Sequence, residues 1–389
     1  MRFLHVSDLH VGKRVNEFPM LEDQRVVLDQ VVSMVAEHGA DAVVVAGDVY
    51  DKATPSAEAV SLVDEFLTKA AASGVPVIVT AGNHDSAERV AYGHDLLAER
   101  GVFVSPVYDG TIEHVTLRDE HGPVTFWLVP FLKPAMVRAA FPGEKVDSYT
   151  DALRVALSAC RLDPAQRNVA VAHQWVTYGS SKPEASDSET SVGGLDDVDG
   201  HVFDAFDYVA LGHVHRPQRI GRHSMRYCGS PLKYSFSEIP FAKSVPVVDL
   251  GPKSAGDEPG ACVTLELAPL VPPHDMREMR HAFDEMTSPE ALAEGDPQDY
   301  LRVVLTDEEP PADALARLRA TYPNIMALEV DNARTRATAK LPEALAAQAK
   351  ARPLELFAQF YEAANGAPLD EERAAAVRRE LQDEERGAM

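Results

Sequence analysis

Val43-Val44-Val45-Ala46-Gly47-Asp48-Val49-Tyr50-Asp51 is the stretch around which the fold is read. A run of β-branched residues ends abruptly in Gly-Asp, the pattern of a buried strand in a parallel sheet. Glycine lets the backbone turn sharply and leaves Asp48 at the carboxyl edge of the sheet, where open α/β sheets place ligands. A turn or a helix cap would use an aspartate in the same place. Asp48 gains weight from the other strand ends of the chain.

Upstream, Phe3 to Ser7 reads as a strand ending in Asp8-Leu9-His10. A spacing of two turns both side chains to one side of an extended backbone, as a metal pair requires; an unrelated surface Asp and His would look the same. Leu21 to His38 carries Val27, Val31, Met34 and Val35 at helical spacing, with Gly39 as its stop. Thr54-Pro55 opens a second helix with the stripe Leu62, Val63, Phe66, Leu67, closed by Gly74. Val75 to Val79 is the next strand and ends in Gly82-Asn83-His84-Asp85. A turn with a helix cap accounts for Asn83 or Asp85 there, but not for His84 between them.

Further along, Val102–Val104, Thr111–Leu117 and Val124–Val129 alternate as strands and suggest a shift to antiparallel pairing. Ser148 to Cys160 is helical, and the buried run Val169–Ala172 ends in His173. Gly179 to Gly200 is a polar stretch of a length that is usually functional or mobile. Tyr208–Leu211 then leads into Gly212-His213-Val214-His215, again two histidines on one face of an extended chain.

The 389 residues allow two or three domains. Lysine and arginine total 37 against 61 aspartates and glutamates, a formal charge of −24. Such a field repels nucleic acid unless metal ions or a partner reverse it locally, which argues against a simple DNA-coating protein. Three scattered cysteines form neither a disulfide framework nor a zinc cluster. No run approaches the roughly 18 apolar residues of a membrane span, and the N-terminus is charged where a signal peptide is apolar. A cytoplasmic protein with no membrane partner is expected. The Gly251–Gly260 linker marks a boundary between a unit over residues 1–250 and a small α+β unit over 261–341, which begins with a strand at Cys262–Leu267. Two helices are expected over 352–389, one striped by Leu354, Phe357, Phe360 and Tyr361, the other by Ala374, Val377 and Leu381.

The order Asp-x-His, Gly-Asp-x-x-Asp, Gly-Asn-His-Asp, His, Gly-His-x-His supplies enough N/O ligands for two metal ions. Carboxylate and imidazole suit manganese, iron or zinc better than magnesium or calcium. The series resembles the calcineurin-like metallophosphoesterase superfamily across Phe3–His215. Gly229–Glu238, the second unit and the chain length are similar to its nuclease-subunit branch. The resemblance implies an α/β sandwich of two mixed β-sheets flanked by helices, with a smaller α+β capping domain and C-terminal helices. It implies that Asp8, His10, Asp48 and His215 hold one divalent ion, and Asp48, Asn83, His173 and His213 the other. His84 would face substrate, with Asp85 fixing its tautomer; Asp51 stands where relatives usually carry histidine, so its role is open. The implied activity is manganese-dependent DNA cleavage by a homodimer that joins a coiled-coil ATPase in a heterotetramer. A phosphodiesterase acting on small molecules is the rival within enzymes, and a metal-stabilised scaffold the rival outside them.

Overall fold

The computed structural model describes residues 1–189 and 196–339, with scattered positions between 357 and 377. Strand β1 (Arg2–Val6) is followed by helix α1 (Leu21–His38), β2 (Ala42–Ala46), α2 (Ala57–Ala72), β3 (Val77–Thr80) and β4 (Val102–Val104). The four strands pair in parallel, in that order. Next come β5 (His114–Asp119), β6 (Gly122–Val129), α3 (Tyr149–Ser158), β7 (Arg167–His173), β8 (Tyr208–Gly212), β9 (Gln218–Ile220) and β10 (Arg222–Tyr227). They build a second sheet in the order β9-β10-β8-β7-β6-β5, parallel at its centre and antiparallel at both edges. The chain then returns to the first sheet with β11 (Ser244–Leu250), antiparallel to β1, and β12 (Val263–Pro269), antiparallel to β11. Both sheets are therefore mixed.

The period of two in each strand decides the layering. Phe3, Val44 and Ile78 on the first sheet meet Phe126, Val171 and Tyr208 on the second, forming a buried layer between them. The Phe3 ring meets Phe126 edge-on, centroids 5.3 Å apart at 82°. The alternate residues Leu4, Val43, Val45, Val77 and Val79 face outward against Leu28, Val31 and Met34 of α1 and Leu62, Val63 and Phe66 of α2. On the far side Trp127, Ala170, Val209 and Leu211 pack against Leu153 and Ala156 of α3. The result is the expected helix-flanked sandwich. Helix α1 ends at Gly39 in the left-handed conformation, φ 61°. Helix α2 starts two residues beyond the expected Thr54-Pro55, because the Ser56 hydroxyl accepts from Ala59 N and makes Ser56 the cap. Ser148 and Asp151 close a capping box on α3.

The expected boundary at Gly251–Gly260 needs correction. The strand Val263–Pro269, assigned by sequence to the second unit, pairs along its length with Ser244–Leu250, so the linker is the connection of a hairpin. The compact units divide instead at Met276/Arg277. The second unit holds β13 (Met276–His281), β14 (Tyr300–Leu305), helix α4 (Ala314–Leu318), β15 (Ile325–Val330) and helix α5 (Ala333–Ala339). Its strands form a three-stranded sheet with β14 at the centre, packed through Met279, Leu301, Val303 and Ile325 against Leu318 and Tyr322. This is the expected α+β unit. Of the two C-terminal helices, Phe357, Tyr361, Ala374 and Val377 are helical, while Leu354, Phe360 and Leu381 lie outside the described residues.

Candidate metal centre

Parallel strands in both sheets end at one edge, and the polar motifs follow those ends directly. Asp8 follows β1, Asp48 follows β2, Asn83 follows β3, His173 ends β7, and His213 and His215 follow β8. Asp8, His10, Asp48 and His213 all take positive φ (53°, 43°, 50° and 100°). Non-glycine residues hold that conformation at a cost of about 1–3 kcal/mol each and persist there where surrounding structure imposes it. The imposing contacts include Asp8 N donating to Gly47 O at 3.1 Å and His213 N donating to the Asp8 carboxylate at 2.9 Å.

Three glycines allow the strand ends to close on one another. A Cβ on Gly212 would lie 1.9 Å from Ala46 O, one on Gly47 2.3 Å from His173 Nδ1, and one on Gly82 2.1 Å from Asp48 Oδ1. Only a residue without a side chain permits such approaches.

The donor atoms converge. His10 Nε2 faces His215 Nε2 at 3.1 Å and Asp48 Oδ2 at 3.6 Å. His173 Nε2 lies 3.2 Å from Asp48 Oδ2 and 3.0 Å from Asn83 Oδ1, and His213 Nδ1 lies 2.8 Å from the same Asn83 oxygen. Asp8, His10 and His215 offer ligand atoms within 4.8 Å of one another; so do Asp8, Asp48 and His173. The His173 Nδ1–H donates to Ala46 O at 2.9 Å, which turns Nε2 toward the Asp48 and Asn83 oxygens. Acceptors converging on acceptors in a buried place fit a cation.

The electrostatics agree. Burial pushes the His213 imidazole down to about 3 and holds His10 well below its usual value, so both rings are neutral donors. Burial also works against a charged His173, yet Asp48 and Asp8 carry it up to about 9: in the metal-free chain a proton takes the place of a cation there. Burial works to raise Asp48 too, but the surrounding imidazoles hold it well below the carboxylate range.

Two expectations about neighbouring residues fare differently. His84 sits beside the centre, its ring edge-on to His10 with centroids 4.7 Å apart. It also lies within 4.8 Å of His10 and Asp48 ligand atoms, so distance alone would admit it as a ligand. Asp85 does not bond the His84 ring. Its carboxylate accepts from Val49 N (3.1 Å), Tyr50 N (2.9 Å) and Gly82 N (2.9 Å), bracing two loops against each other. The His84 Nδ1–H donates instead to Asp51 O at 3.0 Å. The expected tautomer-fixing role thus passes from Asp85 to a backbone carbonyl, because the turn after β3 aims the two adjacent side chains apart. The Asp51 side chain bonds Lys13 Nζ at 2.9 Å.

Sequence reasoning assigned no role to Glu238, Lys243 or Glu189. Glu238 lies behind His215, with Oε1 3.2 Å from Nδ1, and Glu189 accepts from His215 N. Glu238 closes the Gly229–Glu238 stretch, but nothing local ties any of the three to a metal ligand; only folding brings them to the centre.

Known families agree with this geometry. Residues 1–217 match the calcineurin-like phosphoesterase family, and residues 272–365 match a family described as the type 5 capsule protein repressor C-terminal domain. The chain is 29% identical over 331 residues to a Staphylococcus epidermidis protein named as a subunit of the nuclease SbcCD, covering 84% of this chain and 85% of that one. Among solved structures, a Thermus thermophilus protein overlaps 69% of this chain and 99% of its own at 14% identity and a TM-score of 0.37. A dimetal phosphatase from Danio rerio overlaps 70% and 97% at 13% identity and 0.39. With a match over more than half of its length and a polar edge built to hold divalent ions, the chain belongs to the calcineurin-like phosphoesterase family and is a metal-dependent hydrolase of phosphate esters.

Proposed function

We propose that this hydrolase is a manganese-dependent DNA nuclease. It would act 3′ to 5′ on duplex ends and endonucleolytically on single strands and hairpins, in repair and recombination, with an SbcC-type coiled-coil ATPase. The observation that carries this reading is the extent of the likeness to the SbcCD nuclease protein. It spans 331 residues, well beyond the 217 of the phosphoesterase match, and so takes in part of the second unit. A small phosphodiester substrate has no evident need of that unit.

In this reading Asp8, His10, Asp48 and His215 hold one ion and Asp48, Asn83, His173 and His213 the other, with Asp48 shared. Two such ions supply an activated water and a Lewis-acid clamp on the scissile phosphate. The chain's own residues do the rest. His84 keeps Nε2 toward the substrate and moves a proton to the leaving 3′ oxygen. Phe131, stacked on His213 at 6.3 Å, and Trp175, edge-on to it at 6.0 Å, hold the orientation of that ring.

Linear duplex, a hairpin and a chromogenic phosphodiester should be assayed side by side with manganese, with and without the ATPase. Manganese-dependent cleavage of the duplex is expected. Hydrolysis of the chromogenic ester with both DNAs intact, partner present or not, overturns the reading in favour of a small-molecule phosphodiesterase. Truncation after Glu343 should leave metal-dependent cleavage and abolish co-purification with the ATPase; a truncated chain that still co-purifies places the partner site elsewhere.

A further inference from the structure

We infer that Glu238 is the positioning carboxylate of the metal centre, fixing His215 as the tautomer that presents Nε2 toward Asp8 and His10. The inference rests on the metal-centre reading above and adds to it a residue to which the sequence reading gave no role.

Glu238 is fully buried, 0% exposed, and each hydrogen-bond partner of its carboxylate is a donor or can act as one. Oε1 lies 3.2 Å from His215 Nδ1, 3.2 Å from Ser186 Oγ and 2.6 Å from Ser188 Oγ. Oε2 lies 2.6 Å from Lys243 Nζ and 3.3 Å from Ser230 Oγ. An ionised carboxylate only accepts. The proton between Glu238 and His215 therefore resides on Nδ1, and Nε2 is the atom that faces the metal centre, 3.1 Å from His10 Nε2.

The other rings of the site are held differently. His173 and His84 give Nδ1–H to the neutral carbonyls of Ala46 and Asp51, His213 turns Nδ1 toward Asn83, and His10 Nδ1 has no hydrogen-bond partner. Among the described residues, His215 is the ring of this site backed by a hydrogen-bonded carboxylate. A carboxylate behind a metal-binding imidazole fixes its orientation and raises its basicity.

The surroundings fit a functional demand better than a purely structural one. A buried carboxylate–ammonium pair is a poor stabiliser, since apolar residues of similar size usually do as well or better. Lys243 keeps Glu238 ionised at full burial and is itself anchored on His215 O at 2.9 Å and Ser230 Oγ at 2.8 Å. The pair and the ligand thus form one hydrogen-bonded unit.

The test uses the full chain, with manganese binding followed by calorimetry and elemental analysis. Glu238→Gln should weaken one of the two binding events about 10–100-fold, the range for losing a partner behind a ligand. The double variant Glu238→Gln with Lys243→Met removes the stranded ammonium and should show the same loss if the single variant folds poorly. Asp207→Asn is the control for general damage. Asp207 is also a buried carboxylate paired with lysine (Lys253, 3.0 Å), but it precedes β8 at the end opposite the metal centre. Asp207→Asn should lower the melting temperature and leave manganese affinity at the wild-type value. Wild-type affinity in a folded Glu238 variant, or an equal loss in Asp207→Asn, overturns the inference. Failure of the wild-type chain to bind manganese overturns the metal-centre reading itself.

Discussion

His84 Nδ1 is committed to the Asp51 carbonyl at 3.0 Å, and in the proposed reading Nε2 is the atom left to meet substrate. Asp85, one residue on, ties the loop after β3 to the loop after β2 through three backbone N–H groups. His84→Gln should therefore keep both ions while DNA cleavage falls about a hundredfold or more, as for a lost acid–base group. Elemental analysis that finds an ion missing from the variant makes His84 a ligand instead. Asp48 has the opposite signature. It lies 3.6 Å from His10 Nε2 and 3.2 Å from His173 Nε2, on the two halves of the centre. Asp48→Ala should disturb both manganese binding events and His10→Ala mainly one. Calorimetric titrations in which each variant loses the same single site would contradict a shared Asp48.

Among the elements, the strand ends are held together by the absence of side chains. Gly212 closes β8 onto the end of β2, where a Cβ would meet a backbone oxygen that cannot rotate away. Gly212→Ala should force the two sheets apart at their metal-bearing edge, costing about 1–3 kcal/mol. A domain of this size should then lose roughly 2–4 °C of melting temperature per kcal/mol. Manganese affinity should fall with it, since His213 follows directly in the chain. A thermal melt and a titration check both; unchanged values in the two would show that the β8 end has room the structure does not show. The polar stretch after Gly179 also gains a structural meaning. Ser186 and Ser188 bond the Glu238 carboxylate and Glu189 takes His215 N, so part of that stretch lies against a candidate ligand.

Taken whole, the molecule carries a charge of −24, and the proposed DNA substrate would bring a phosphate backbone into that field. Divalent ions at the polar edge would reverse the sign of the field locally. Large apolar side chains also stand in water. Tyr92 is 85% exposed in the turn between two short helices that separate β3 and β4, Leu96 is 72% exposed on the second of them, and Val60 on α2 is 45% exposed. Large exposed side chains of this kind are available to a partner surface. We propose that the homodimer implied by the family resemblance forms through this region. Light scattering should report a dimer, alone or within the ATPase complex. Tyr92→Asp combined with Leu96→Asp should convert it to a monomer with manganese content unchanged. A wild-type chain that is monomeric in both settings removes the proposal.

Much of the site was legible in the sequence because its logic is local. A run of β-branched residues makes a parallel strand, its carboxyl end falls at the ligand-bearing edge, and an Asp, Asn or His directly after it is carried there. That reasoning picked out Asp8, His10, Asp48, Asp51, Asn83, His84, Asp85, His173, His213 and His215 as candidates from their positions in the chain; the family resemblance, and not position, divided them into ligands and neighbours. It could not show where the adjacent side chains of His84 and Asp85 point, since a turn separates neighbours that sequence joins. Nor could it place Glu238 behind His215, 23 residues earlier. The same limit misplaced the strand Val263–Pro269: a glycine-rich connection reads alike whether it links two domains or two strands of a hairpin. Pairing partners and the hydrogen bonds behind the ligands depend on which surfaces meet when the sheets pack, and local periodicity carries no record of that.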